Sequence, residues 1–133
     1  MPAVLDKPAT VSGDRAMKLS TLLNRVADFA RAPAGWAGDG TVPPQPSLAT
    51  QISRLLRELP DTLPLPQATA SGEGEIGLTW WFKGGDCLDA IASPDGYLTW
   101  ALKIGDAFLE GDVLPLTSDS FAPLHEALVT FHG

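Results

Sequence analysis

Residues Glu75–Leu102 hold three short hydrophobic runs separated by two turn signals, and this punctuation limits what the chain can become. The runs Ile76–Phe82, Cys87–Ala92 and Tyr97–Leu102 alternate with a period of two, the pattern of strands with one buried face. Lys83-Gly84-Gly85 and Pro94-Asp95-Gly96 connect them. A two-residue Gly84-Gly85 turn would set Trp80 opposite Asp89 and take a carboxylate into the core, which is costly without a partner. A three-residue loop, with Gly85 in the left-handed region of a bulge, pairs Trp80 with Leu88, Leu78 with Ala90 and Ile76 with Ala92. A type I turn led by Pro94, with Gly96 left-handed, pairs Ser93 with Tyr97, Ala92 with Leu98, Ala90 with Trp100 and Leu88 with Leu102. Both turns select the same inward face, and such agreement between separate local signals is the mark of a specified fold. The opposite face then carries Thr79, Trp81, Cys87, Asp89, Ile91, Tyr97, Thr99 and Ala101.

The flanks read as helices. Leu19, Leu22, Leu23, Val26, Phe29 and Ala30 recur at three- and four-residue steps from Asp14 to Arg31, where Pro33 enforces a stop. Residues 1–12, with two prolines and no period, read as a loosely ordered arm. Ser47 is placed to cap a second helix running to Leu59, with Leu48, Ile52, Leu55, Leu56 and Leu59 as its stripe. Leu63-Pro64-Leu65-Pro66 is extended by its prolines. A fourth strand fits Asp106–Val113, with Ala107, Leu109 and Val113 on one face and Phe108 and Glu110 on the other. A last helix from about 118–120 presents Phe121, Leu124, Leu128 and Phe131. The expectation is an α+β fold in one domain over 1–133. An antiparallel β-meander of three to four strands (about 75–113) packs on one face against two N-terminal helices and one C-terminal helix.

Charge divides the chain. Residues 1–66 carry seven Lys/Arg against six acids, net +1, whereas 67–133 carry only Lys83 and Lys103 against ten acids, net −8. Direct nucleic-acid binding is disfavoured, because each phosphate contact needs a cation. No run approaches the roughly 18 apolar residues of a membrane span, and the N-terminus lacks the basic start and apolar stretch of a secretory signal, so a cytoplasmic protein is expected. The single cysteine, Cys87, allows no intrachain disulfide, and its neighbours Asp86 and Asp89 make it a poor nucleophile. His125 and His132 lie seven apart without an HExxH pattern or zinc spacing, and the acids lack EF-hand spacing. We therefore expect no metal, no cofactor and no enzymatic activity.

Between the first two helices, Gly35-Trp36-Ala37-Gly38-Asp39-Gly40 leaves no room for a regular element. Trp36 is expected to anchor this loop to the body of the domain, with Gly35, Gly38 and Gly40 giving it its turns. The segment resembles the Gly-Trp-Asp-Gly-Tyr-Gly-Ala signature of a family of small, uncharacterised bacterial proteins. In that family prolines, a short helix, a Leu-Pro-rich segment, an Ile-x-Leu-x-Trp strand and a Pro-Asp-Gly hairpin follow. Ile76, Leu78 and Trp80, then Pro94, Asp95 and Gly96, match these over about 35–102, while Ala37, Asp39 and Thr41 depart from the signature. The resemblance implies this architecture and a bacterial origin, and no activity.

The half-apolar outer face is the composition of an interaction core. Coverage by the proline-rich segment or the last helix would account for it equally well. We read the chain as a non-enzymatic interaction or accessory module, antitoxin-like in kind. Its surface would be Trp81, Ile91, Tyr97, Thr79 and Thr99, taking a protein partner or a second copy in a homodimer. The alternative is a small-molecule binder or weak enzyme with its pocket between the glycine-rich loop and the sheet.

Overall fold

The computed structural model describes residues 2–132, leaving aside the side chains of 2–12, 112, 131 and 132. Helix α1 runs from Pro2 to Arg31. The arm expected over 1–12 is therefore, from Pro2 onward, part of this helix. Pro2 stands at its first turn, where no backbone N–H is needed. Leu22 and Val26 are buried and Leu19, Leu23, Phe29 and Ala30 pack around them, as the periodicity requires. Helix α2 spans Pro46–Arg57. Pro46 begins it and the extended Gln45 makes no side-chain cap, so Ser47 lies inside the first turn rather than capping it.

The sheet comprises β1 (Gln67–Ala70), β2 (Ile76–Trp81), β3 (Cys87–Ala92), β4 (Tyr97–Ile104) and β5 (Ala107–Pro115), followed by α3 (Ala122–His132). The strands are antiparallel and lie in chain order. Trp80 faces Leu88, Leu78 faces Ala90, and Ala90 in turn faces Trp100, the register set by turn chemistry. Gly84, Gly85 and Gly96 all have positive φ, at 77°, 84° and 89°. Ile76, Leu78, Trp80, Leu88, Ala90, Ala92, Leu98, Trp100 and Leu102 are all buried, beneath Ile52, Leu55 and Leu56 of α2, Phe121 just ahead of α3, and Leu124 and Leu128 within it.

Strand β1 was not expected, and it makes a fifth strand. Its four residues, Gln-Ala-Thr-Ala, bury only Ala68 and carry no hydrophobic signature. The fourth expected strand is β5, extended to Pro115 and bent by a bulge between Thr99 and Ala101 of its partner. Leu109 faces Leu102 on the helix side, and Phe108 and Glu110 face Lys103 and Ala101 on the other. The extra residue at the bulge reverses parity, so Val113 joins the outer face opposite Thr99 and Leu114 turns inward opposite Leu98.

Arginines close the gaps that prolines open. The segment 60–66 cannot ladder, so its carbonyls need other donors. Arg15 donates to Leu63 O (2.6 Å) and Pro60 O (3.0 Å), and Trp80 Nε1 donates to Pro64 O (3.0 Å). Arg25 Nε reaches Ala68 O of β1 at 2.8 Å, and Arg54 Nη2 serves Leu116 O and Ser118 O at 2.9 and 2.7 Å. These cations of the N-terminal half hold the chain together.

Candidate functional site: the outer face of the sheet

All three helices contribute to one core on one side of the sheet. On the other side the strand register lays out rows. Tyr97 lies opposite Pro115. Gly77, Ile91, Thr99 and Val113 form the next row across β2 to β5, then Thr79, Asp89, Ala101 and Glu110, then Trp81, Cys87, Lys103 and Phe108. Phe108 is 69% exposed, Trp81 and Val113 61%, Tyr97 45% and Ile91 43%. Neither the proline-rich segment nor α3 covers these side chains. A solvent-facing sheet ordinarily turns polar residues outward, and here two apolar rows flank a polar one.

Thr79, Trp81, Ile91, Tyr97 and Thr99 all lie on this face, where the sequence placed them. Phe108, Glu110 and Val113 of β5 extend it, and these the sequence left unassigned because the bulge hides which of them point outward. In the polar row the Thr79 hydroxyl donates to Asp89 Oδ1 at 2.6 Å. Around the small residues Ala101 and Gly111 lies an open hollow of about 450 Å³, bordered by Ile91, Val113 and the carboxylates of Asp89 and Glu110. A cation flanked by apolar groups matches this lining in charge and polarity. Cys87 is buried between Trp81 and Lys103 in its row. Burial, then Asp89, pushes its thiol pKa up, with Asp86 adding to the rise and Lys103 opposing it, so the nucleophilic thiolate is disfavoured.

The glycine-rich loop closes on itself. Gly35 N–H donates to Thr41 O (2.8 Å), Trp36 Nε1 to Val42 O (3.1 Å), and the Thr41 hydroxyl to Gly38 O (2.6 Å). Positive φ at Gly35, Gly38 and Gly40 makes the turns. Val42 N–H then bonds Gly72 O at 2.8 Å, which ties the loop to the β1–β2 connection. Trp36 remains 37% exposed. It borders an open hollow of about 500 Å³ whose other wall is α1, through Thr21, Asn24, Arg25, Asp28 and Phe29. This hollow faces a helix.

Among the described residues no three His, Cys, Asp or Glu side chains gather as a metal site, and no helix is long and apolar enough to cross a membrane. The side chain of His132 lies outside the description. His125 packs near Glu58, with Nε2 buried and lacking a hydrogen-bond partner. Desolvation lowers its pKa, and Glu58 only partly opposes this. A histidine held neutral in the fold must take up a proton on unfolding below about pH 6.5, so its contribution to stability is present above that pH and lost as pH falls. Urea midpoints of the wild type and His125→Phe at pH 7.5 and 5.5 should show the smaller acid loss in the variant.

No protein-family model, curated protein or solved structure matches the chain.

Proposed function

We propose that this protein is a non-enzymatic interaction module, of an accessory or antitoxin-like kind, whose outer sheet face docks a protein partner. The observation that carries the proposal is the set of exposed apolar side chains, Trp81, Ile91, Tyr97, Val113 and Phe108, which no described helical residue covers. Tryptophan and tyrosine are the side chains most often responsible for binding energy at protein interfaces. The acids Asp89 and Glu110 between the apolar rows suit a partner that brings cations to the contact. The backbone bond from Val42 N–H to Gly72 O and the loop's own internal hydrogen bonds support reading the glycine-rich loop as a structural part, on which no binding role is placed.

The test is to isolate the complex from the native host and measure binding with Trp81→Asp and Tyr97→Asp. Each substitution should weaken the complex by about tenfold or more while changing the unfolding free energy from urea titration by less than roughly 0.5 kcal/mol, as expected of exposed positions. Undiminished binding by both variants would remove the face from consideration.

A further inference from the structure

The two edges of the sheet are treated differently. Strand β1 is four residues long, and Arg25 of α1 donates to Ala68 O. A short, covered edge of this kind resists pairing with other chains. Strand β5 is nine residues long and has β4 as its sole strand neighbour. Among the described residues, no backbone bond reaches Ala107–Leu114 except from β4. Phe108, Leu109 and Val113 along it are exposed. An unpaired edge with apolar side chains on both faces offers main-chain hydrogen bonds to an incoming strand and side-chain contacts to hold it.

The chemistry of the occupant follows from charge. The sequence of β5 contains Glu110 and Asp112 and no Lys or Arg, within a half-chain of net −8. A second copy pairing here would bring acids against acids, and like charges opposite one another weaken a sheet. We infer that β5 is a strand-addition site for an extended segment of a partner protein in which basic residues alternate with apolar ones. A basic side chain pairs with Glu110 on the outer face, and the adjacent apolar one lies beside Leu109 on the helix side. The inference rests on the interaction-module reading for the existence of a partner, but its surface is the edge and not the face.

The test uses two fluorescein-labelled nine-residue peptides, one alternating valine with lysine and one alternating valine with glutamate, titrated onto the full chain and followed by anisotropy. The lysine peptide should bind about tenfold tighter, because it sets an opposite charge against Glu110 where the glutamate peptide sets a like one and each such pair shifts affinity by up to about fivefold, and Glu110→Lys should reverse the order. Phe108→Pro and Leu109→Pro separate edge from fold, because adjacent strand residues point their N–H groups in opposite directions. Whichever variant keeps the wild-type urea midpoint should lose the lysine peptide. Trp81→Asp, three strands away on β2, should bind it as the wild type does. Equal affinity for the two peptides, indifference to the fold-preserving proline, or loss with Trp81→Asp would each overturn the edge assignment. The last of these would leave the face reading standing. A wild-type dimer in sedimentation that the same proline dissociates would overturn the choice of occupant.

Discussion

Replacing Arg54 with alanine should lower stability by about 3 kcal/mol, more than any ordinary surface substitution. The side chain projects from α2 to the connection between β5 and α3. There one Nη2 donates to both Leu116 O and Ser118 O, the guanidinium lies 4.7 Å from the centre of the Phe121 ring, and Glu58 sits 3.6 Å from Nη1. Leu116 and Phe121 are fully buried. Alanine would leave two carbonyls of a partly buried loop without their donor and bare one face of Phe121. Hydrogen bonds from a charged donor contribute about 1.5–3 kcal/mol, and stacking on the ring adds about 0.5–1 kcal/mol. The Glu58 pair, on a half-exposed helix face, adds little. In a chain of this length the loss corresponds to a fall of roughly 10 °C in Tm. Arg54→Lys keeps the charge but not the planar fork, so it should recover less than half of the difference. Urea unfolding followed by tryptophan fluorescence measures both. A loss below about 1 kcal/mol for Arg54→Ala would mean that α3 is held by its apolar stripe alone.

Nothing in the sequence marks Arg54 for this task, because on a helical wheel it is one more charged residue on the solvent side of α2. Its partners are backbone carbonyls more than sixty residues away, and a carbonyl has no letter in a sequence. Arg15 and Arg25 are hidden in the same way, their carbonyl partners lying 43 to 48 residues away. What was legible came from local rules. Turn chemistry at Lys83-Gly84-Gly85 and Pro94-Asp95-Gly96 set the pairing of β2, β3 and β4, and three-to-four spacing located the stripes of α1 and α2 and the Phe121, Leu124 and Leu128 part of the last, the Phe131 side chain lying outside the described residues. Because that register decides which residues point away from the helices, Trp81, Ile91 and Tyr97 could be assigned to the outer face before any coordinates. Strand β1 escaped because Gln-Ala-Thr-Ala has neither alternation nor bulk, and it forms only because Ile76–Thr79 offers an open edge. The outer contribution of β5 escaped for a different reason. Period-two reading assumes unbroken parity, and one extra residue opposite Trp100 inverts everything beyond it.

That bulge supplies the second large effect. Gly111→Ala should cost about 2–3 kcal/mol, in the upper range for overpacking a tight site. A Cβ on Gly111 would overlap the Nε1, Cδ1 and Cε2 atoms of Trp100. These atoms belong to an indole that is 6% exposed in the core, so the ring cannot simply swing into solvent. The φ of Gly111 is not positive, so the requirement is space and not backbone freedom. Relief must come either from moving the indole against Leu88 and Ala90 or from lifting β5 off β4. The second route would also disturb the hollow beside Asp89 and Glu110 and the edge beyond it. A double-mutant cycle distinguishes steric conflict from a general intolerance of the bulge. Trp100→Leu vacates the space that the new methyl needs, so Gly111→Ala should cost less than about 1 kcal/mol in that background. Additive costs would show that Gly111 is needed by the bulge itself. In either case Val113 reaches the outer face only while the bulge persists, so losing it would carry the apolar row across β3 to β5 out of register.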